Sequence, residues 1–487
     1  MVSSPSKAQI QPGLIKLTLI GSAFIAFLNE TALNVALANF MNIFNVSVST
    51  VQWLTTGFML VMTIVIPVTA FINQRFTTRQ IFFTAMSLLL AGTLVSGLAP
   101  NFSVLLAGRL LQAAATCTLM SLMTITMLLL TPPHQRGTAM GIVGLVLLFA
   151  PALSPSLAGF ILYSFSWRWL FLGMVPFILA FMVLANKTLT NVTETSKGRI
   201  DWLSFCLSTI AFGGILYGLS SLGHTGIGSA NVLFPLGAGI LFLVMFAWRQ
   251  LHLDDPFLDL KVFTYPMFTL GVLLVIFDIM TAFAVALLTP MFLQEVFGLS
   301  TFAVGLALLP GGLLNGIVSP LIGRIFDKVG PKPLVIPGLL LMLIVSWLFS
   351  GVSASTSLSI FILMYCGIML GVTLVMAPAQ TNGLNQLPRS LYPHGTAIMS
   401  TLQQLGGGLG TAIFVSIMSL YQQHYLAQAA PFSEDVTKAA FTYGFNQAFF
   451  YCALLLIAVL AMTLFIKRPL LPESAAKSSE ELTRNVG

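Results

Sequence analysis

The sequence has 487 residues, of which 57% are hydrophobic and only 7% are charged, against about 25% charged residues in an average soluble domain. So few charges could not cover the surface of a soluble globular protein of this size. The net charge of +7 is spread over short loops, which argues against a nucleic-acid-binding patch. With a mean hydropathy of +0.95, the composition predicts an all-α polytopic membrane protein.

The predicted elements are long apolar stretches along the whole chain. A membrane-spanning helix needs about 20 mostly apolar residues. Fourteen stretches meet this requirement, at 14–38, 50–72, 80–99, 102–129, 137–163, 168–186, 202–221, 231–250, 266–292, 301–323, 334–352, 357–380, 395–421 and 443–466. The sequence therefore predicts 14 transmembrane helices, and we expect the polar stretch 422–442 to form the longest outer loop.

Basic residues mark one side of the predicted membrane. With the N-terminus in the cytoplasm, eighteen of the 21 Lys and Arg residues fall on the cytoplasmic side. Outside lie only Arg168 and Lys438, and Arg109 lies within the membrane. An excess of Lys and Arg in cytoplasmic loops sets the orientation of membrane proteins. The pattern predicts a multi-pass cell-membrane protein with both termini in the cytoplasm.

The chain also repeats itself weakly. Lys328 follows Arg75 by 253 positions in similar loops, and HGTAI at His394 follows RGTAM at Arg136 by 258 positions. Similar offsets predict two parallel six-helix halves with two inserted helices between them, an arrangement found in secondary transporters. The predicted segments are an N-terminal half at 1–190, the inserted helices at 191–262, a C-terminal half at 263–468 and a tail at 469–487.

Four stretches carry a resemblance to a known family. They are GRIFDKVGPK at 323–332, LLAGRLLQAA at 105–114, FAPALSPSLAG at 149–159 and NETALNVAL at 29–37. Through them the chain resembles the major facilitator superfamily, specifically the fourteen-helix drug:proton antiporters of the EmrB/QacA type, and among these the lincomycin-resistance exporters. The resemblance covers nearly the whole chain. It implies the major facilitator fold and proton-coupled efflux of amphipathic drugs by alternating access.

Glu30 is an acid in the middle of the first predicted span. A charge there is costly, so we expect it to face the protein interior or water. Arg109 lies at a similar depth, with Gln112 on the same helix face, so Glu30 and Arg109 can meet if their helices are adjacent. The resemblance implies a role of this arginine in proton coupling, although Asn29 stands where the family has an aspartate. Glu30 is either a proton carrier or a residue that only ties helices together.

Asp278 is the second acid inside a predicted span. It lies near the middle of the ninth span, which is the first helix of the second half. Two roles are open for it: it is the proton carrier in place of Glu30, or it is a counter-charge for a cationic drug. The sequence does not decide which of the two acids is protonated.

Two further motifs concern gating. By resemblance, the loop at 323–332 closes the cytoplasmic side, and its first-half copy is degenerate, with Gln74 and Thr77 in place of the family's aspartate and glycine. The residues expected at this gate are Gly323, Asp327, Lys328, Gly330, Arg75 and Arg79. Pro151, Pro155 and Gly159 match the antiporter motif of the fifth helix in outline. The two prolines remove backbone donors and are expected to bend that helix.

Cofactors are not expected. The cysteines and histidines have no metal-ligand spacing, and no G-x-x-x-x-G-K-[ST] motif occurs, so an ion gradient must supply the energy. The expected partners are the lipid bilayer, a small-molecule drug and protons, without nucleic acid, and we expect a monomer. Two alternatives are a transporter of the same fold dedicated to one endogenous metabolite, lipid or peptide, and a membrane enzyme or channel, for which catalytic or pore-loop motifs are lacking.

Overall fold

The computed structural model describes residues 12–192, 201–225, 229–254, 256–353, 355–428 and 433–467. The predicted tail at 469–487 lies outside these described residues, as do Lys7, Lys197 and Arg199. Within the described part, all regular structure is helical and no strand is present.

Each predicted span corresponds to one long helix of the described residues, although several spans extend a few residues past the helix ends and the sixth helix contains a turn at 173–174. In chain order these are α1 (Pro12–Phe44), α2 (Trp53–Arg75), α3 (Thr78–Gly97), α4 (Phe102–Leu129), α5 (Arg136–Ser164), α6 (Trp169–Thr188), α7 (Trp202–Thr225), α8 (Ala230–His252), α9 (Pro266–Glu295), α10 (Thr301–Val329), α11 (Lys332–Phe349), α12 (Leu358–Asn385), α13 (Tyr392–Gln428) and α14 (Glu434–Met462). Of these, 13 are long and apolar enough to cross a membrane. The remaining one, α5, has 29 residues and a single charge at its start.

Short polar side chains begin several of these helices. The Thr77 hydroxyl accepts from the backbone N–H of Gln80, and the Gln80 side chain accepts from the N–H of Thr77, which forms a capping box for α3. Asn101, Ser300 and Ser357 cap α4, α10 and α12 in a similar way. These caps satisfy backbone donors that would otherwise lack partners at the helix starts.

The predicted outer loop at 422–442 is largely helical. The helix α13 continues to Gln428, and α14 begins at Glu434, where the Ser433 side chain accepts from the N–H of Val436. Residues 429–432 lie outside the described residues. A helix satisfies its backbone hydrogen bonds internally, so it can continue beyond the apolar stretch that hydropathy detects.

One end of the helical bundle is rich in positive charge. We call it the basic end; the odd-numbered helices begin there and the even-numbered helices end there. Its described basic residues are Lys16, Arg75, Arg79, Arg136, Lys187, Arg249, Lys261, Arg324, Lys328, Lys332, Arg389 and Lys467. At the opposite end, the only Lys or Arg side chains among the described residues are Arg168 and Lys438. The alternation of helix direction matches the predicted one, while the assignment of the basic end to the cytoplasm stays a prediction.

The helices form two bundles, one in each half of the chain. In the first half, α1 packs on α4, α5 and α6; in the second, α9 packs on α12, α13 and α14. The halves meet along two lines of contact, which we call the α5/α10 seam and the α2/α13 seam. The inserted helix α7 packs against α2, α13 and α8. The division of the chain at 190, 262 and 468 stays a prediction.

Candidate functional site

Arg109 lies buried in the first half, with 1% of its surface exposed. Its Nη1 donates to the carbonyl oxygen of Asn29 at 3.2 Å, to Asn29 Oδ1 at 3.0 Å and to Gln112 Oε1 at 3.0 Å. Its Nη2 donates to the carbonyl oxygen of Glu30 at 3.2 Å, and the ring of Phe58 lies 4.3 Å from its Cζ. All of these hydrogen-bond partners are neutral, so dipoles and an aromatic face hold the charge.

Close packing of α3 on α4 fixes this arrangement. A Cβ atom at Gly92 would lie 2.7 Å from the backbone oxygen of Gly108, so the two helices approach at a distance that larger residues would prevent. Gln112 Nε2 donates to the hydroxyl of Thr93 on α3 at 3.0 Å. This contact orients the amide of Gln112, whose oxygen then accepts from Arg109.

The carboxyl group of Glu30 does not pair with Arg109. Glu30 offers only its backbone carbonyl, and its buried Oε2 has no hydrogen-bond partner within the described part of the chain. Adjacent helix positions point about 100° apart, so the side chain of Asn29, at the place of the family's aspartate, takes the position next to the guanidinium. The helices of Glu30 and Arg109 are adjacent, as a meeting of the two residues requires, but no hydrogen bond or ion pair joins their side chains in the described part of the chain.

Asp278 is completely buried in the second half. Neither of its carboxyl oxygens has a hydrogen-bond partner among the described residues. On the same helix, Met280 lies against Gly410 of α13, and the Thr281 hydroxyl accepts from Cys452 Sγ of α14 at 3.8 Å. No hydrogen bond or ion pair in the described part joins Asp278 to Glu30 or Arg109. The structure therefore keeps the two membrane-buried acids in separate surroundings.

Asp327, in the predicted gating loop, connects the two halves at the basic end. Its carboxylate accepts from the backbone N–H of Gly137 at 2.7 Å, from the N–H of Thr138 at 2.8 Å and from the Thr138 hydroxyl at 2.6 Å. These donors form the first turn of α5, where backbone N–H groups and the helix dipole favour a negative charge. At Gly323, a Cβ atom would overlap the backbone oxygen of Gly137. Both residues hold α10 directly against α5.

The other expected gate residues lie at the same end with different contacts. Gly330 ends α10 with a φ of 81°, a conformation that side chains disfavour, and Lys328 is exposed. Arg79 donates to Asn186 Oδ1 at 2.7 Å, which ties α3 to the end of α6 within the first half. Arg75 lies exposed at the end of α2. Within the described residues, Arg79 therefore makes its hydrogen bonds on the first-half side and does not connect the halves.

The predicted antiporter helix α5 runs from Arg136 to Ser164 through both prolines. Pro151 is partly buried, and the side chain of Pro155 lies outside the described residues. Among the described atoms, a Cβ atom at Gly159 would have no neighbour within 4 Å, and the same holds for Gly305 of α10. The register that pairs Gly137 with Gly323 and Gly141 with Ser319 places Gly159 opposite position 301, about one helical turn from Gly305. The α5/α10 seam is thus closed at the basic end by Gly137 and Gly323, whereas Gly159 and Gly305 show no such close approach among the described residues.

Sequence reasoning missed two further contacts between the halves. Arg136 Nη1 donates to Tyr392 Oη at 2.6 Å and to Asn385 Oδ1 at 3.1 Å. Gln74 Nε2 lies 2.7 Å from His394 Nε2, whose Nδ1 accepts from the N–H of Asp259 at 3.1 Å. The sequence repeat, with RGTAM at Arg136 and HGTAI at His394, had singled out both positions. It indicated equivalent places in the two halves but not their partners.

The chemistry of the site is limited to what these residues offer. The buried polar groups are two carboxyl groups in separate surroundings, with oxygens that lack partners among the described residues, and the guanidinium of Arg109. Within the described residues, no group of three or more His, Cys, Asp or Glu side chains is placed to hold a metal ion. Such a site can exchange protons and bind polar or cationic groups.

Comparison with known proteins identifies the family. The family described as Major Facilitator Superfamily matches residues 19–411. The chain belongs to this superfamily. It is 44% identical to the lincomycin resistance protein LmrB of Listeria monocytogenes over 460 residues, which cover 94% of this chain and 98% of the relative. It is 45% identical to LmrB of Bacillus subtilis over 463 residues, covering 94% and 96%.

Solved structures agree in fold. The human organic anion transporter MFSD10 has a TM-score of 0.64 at 12% identity, covering 93% of this chain and 100% of that one. The proton:xylose symporter XylE has a TM-score of 0.63 at 15% identity, covering 92% and 95%. The predicted all-α membrane protein with a major facilitator fold is confirmed. The narrower assignment to fourteen-helix EmrB/QacA antiporters stays a prediction.

Proposed function

We propose that the protein is a proton-coupled exporter of amphipathic drugs, with lincosamides among its substrates, working by alternating access. The observation that carries this proposal is its identity of 44–45% to two LmrB proteins over 94% of its length. Both relatives are described as lincomycin resistance proteins. Similarity over nearly the whole length of both chains supports a shared substrate class more strongly than the fold, which serves many functions.

The buried carboxyl groups support proton coupling. Glu30 and Asp278 lie inside membrane-spanning helices, and both have carboxyl oxygens without partners among the described residues. Intramembrane acids of this kind mark ion pathways and proton relays. Glu30 also lies next to the Arg109 network, so a change in its charge acts on a group that bonds to its own backbone. In our proposal, one of these acids takes up a proton from outside and releases it inside.

The shape of the α5/α10 seam supports alternating access. At the basic end, Asp327 and Gly323 hold the halves together. With the basic end in the cytoplasm, this is the outward-facing state, in which a drug can leave. Rocking of the halves then closes the outer end and opens the basic end for the next drug.

The setting follows from the charge pattern. We place the protein in the cell membrane as a monomer, with both termini and the basic end in the cytoplasm. Its partners in this proposal are the bilayer, the drug and protons, and it performs no enzymatic reaction.

The test is uptake of lincomycin and ethidium into inverted membrane vesicles, driven by a proton gradient. We expect wild type to accumulate the drugs, and Glu30→Gln or Asp278→Asn to abolish this uptake at equal protein level, because the amide cannot carry a proton. A collapsed pH gradient should reproduce the loss in wild type.

The matched control is Glu295→Gln, since Glu295 is an exposed acid at the outer end of α9. This variant should transport normally. Normal gradient-driven transport by both Glu30→Gln and Asp278→Asn would contradict proton carriage by these acids. If wild type moves neither compound, the transporter dedicated to one endogenous substrate becomes the better proposal.

A further inference from the structure

Arg136 is a buried cation at the interface between the halves. It is the first residue of α5, and only 4% of its surface is exposed. Its Nη1 donates to Tyr392 Oη at 2.6 Å and to Asn385 Oδ1 at 3.1 Å, both in the second half. Its Nε donates to the carbonyl oxygen of Thr131 at 3.3 Å. The ring of Tyr392 also lies 5.2 Å from its Cζ.

None of these partners carries a charge. A buried charge is tolerated only while its hydrogen bonds are made, and removing one partner leaves it uncompensated. Two of the three acceptors belong to the other half of the protein. The burial of Arg136 and the closure of the basic end therefore depend on each other.

We infer that Arg136 is the latch of the basic end: its guanidinium holds the halves together through Tyr392 Oη and Asn385 Oδ1. It is a positioning residue, because it acts on the state of the gate and not on a bound drug. When the basic end opens, water replaces the two acceptors and the charge is solvated. The inference rests on the proposed function, since a latch has a purpose only in a protein that alternates between two states.

The latch differs from the Asp327 contact beside it. Two of the three donors to Asp327 are backbone N–H groups of α5, so most of this contact does not depend on the side chains of that helix. Arg136 makes closure depend on a hydroxyl and an amide of the second half. Closure should therefore respond to the loss of a single oxygen atom at Tyr392.

The experiment measures the distance between spin labels across the basic end in purified full-length protein in lipid nanodiscs. Labels are placed at Phe76→Cys and Ser390→Cys, which are exposed positions in different halves. Cys206 and Cys366 are replaced by serine, because the other two cysteines are buried. The readout is the ratio of separated to closed populations, which requires neither a drug nor a gradient.

Tyr392→Phe keeps the ring and removes only the hydroxyl. We expect the ratio of separated to closed protein to rise about tenfold or more, the usual effect of a lost hydrogen bond to a charged group. Tyr265→Phe is the matched control, because this partly buried tyrosine of the basic end makes no side-chain hydrogen bond in the described part. It should leave the ratio unchanged.

A double variant separates the latch from ordinary packing. In Arg136→Met with Tyr392→Phe, the buried charge at position 136 is removed together with the hydroxyl that accepted from it. Apolar replacement of a buried polar pair often leaves stability unchanged. We expect the ratio to return most of the way to wild type. An unchanged ratio in Tyr392→Phe would overturn the latch, and so would a double variant that stays as separated as the single one. Vesicle transport in parallel distinguishes failure of the latch from failure of the proposed drug export.

Discussion

The two seams between the halves are built in opposite ways. Along the α5/α10 seam, glycines bring the backbones together: Gly137 lies against Gly323, and a Cβ atom at Gly141 would lie 2.6 Å from the backbone oxygen of Ser319. The Ser319 hydroxyl donates to the Gly141 carbonyl at 2.7 Å. Small residues of this kind permit close helix packing in membranes, where burial of apolar surface contributes little.

The α2/α13 seam relies on side chains. Gln74 meets His394 at the basic end, and Gln404 Nε2 lies 3.9 Å from Met62 Sδ further along. His394 Nδ1 accepts from the N–H of Asp259, so in the neutral ring Nε2 carries the proton and needs an acceptor. The Gln74 amide supplies one when it is turned over, with its oxygen in the place of Nε2. Both contacts join side chains, whereas Asp327 of the α5/α10 seam places a carboxylate on the first turn of α5.

The inserted helices compensate for this difference. Trp53 of α2 stacks on Tyr217 of α7 with ring centroids 6.2 Å apart, and Leu216 of α7 lies over Gly408 of α13. The helix α7 thus bridges the weaker seam from outside. The inserted helix α7 therefore adds contacts to both helices of the α2/α13 seam. The sequence did not reveal this role of the inserted helices.

The largest expected effect comes from filling the α5/α10 seam. In Gly323→Val, the added side chain overlaps the backbone of Gly137, and overpacking of this kind costs about 1–3 kcal/mol. We expect basic-end closure and vesicle transport to be lost. The matched control is Gly305→Val on the same helix, where a Cβ atom meets nothing within 4 Å. Equal transport by both variants would show that close approach at Gly323 is not needed.

A second prediction compares the polar contacts of the two seams. Asp327→Asn removes the charge that three donors of α5 share, and hydrogen bonds to charged groups contribute about 1.5–3 kcal/mol. Gln74→Ala removes one neutral contact, worth about 0.5–1.5 kcal/mol. We therefore expect the separated population in the spin-label experiment to rise more in Asp327→Asn. A larger effect of Gln74→Ala would reverse the ranking of the seams.

Hydropathy and charge were enough to predict the helices and their alternation, because each needs only a long apolar stretch bounded by polar residues. They could not predict which side chains of a helix face a given neighbouring helix. The depth of Glu30 and Arg109 suggested a pair, yet Asn29 occupies the place beside the guanidinium, since one position along a helix turns the side chain by about 100°.

Contacts between the halves were beyond the sequence for another reason. The repeat located Arg136 and His394 as equivalent positions, but their partners depend on how two separately folded halves meet. Asp327 was recognised from its motif, whereas two of its three donors are the backbone N–H groups of Gly137 and Thr138, which every residue except proline carries. Only the assembled interface reveals them.

The smallest expected effect concerns the inserted pair that covers the weaker seam. Asp201 and Arg249 form an ion pair at 3.0 Å, which ties α7 to α8. Burial raises the pKa of the Asp201 carboxyl, but hydrogen bonds from Ser204 and Arg249 and the charge of Arg249 outweigh it and lower the pKa overall. The stabilisation is therefore present above the unfolded pKa of about 3.9 and is lost as pH falls through the lower folded value.

Asp201→Asn should then lower the free energy of unfolding by at most about 1 kcal/mol at pH 7, because the pair is partly exposed to solvent. Thermal unfolding of the purified protein at pH 7, 5 and 3 measures the effect, with Asp254→Asn as control for an exposed acid at the same end. The difference from wild type should shrink at the lowest pH, where Asp201 begins to be protonated. A difference that grows with acid would mean that the pair does not hold α7 in place, and the cover over the α2/α13 seam would then depend on the Trp53 and Leu216 contacts alone.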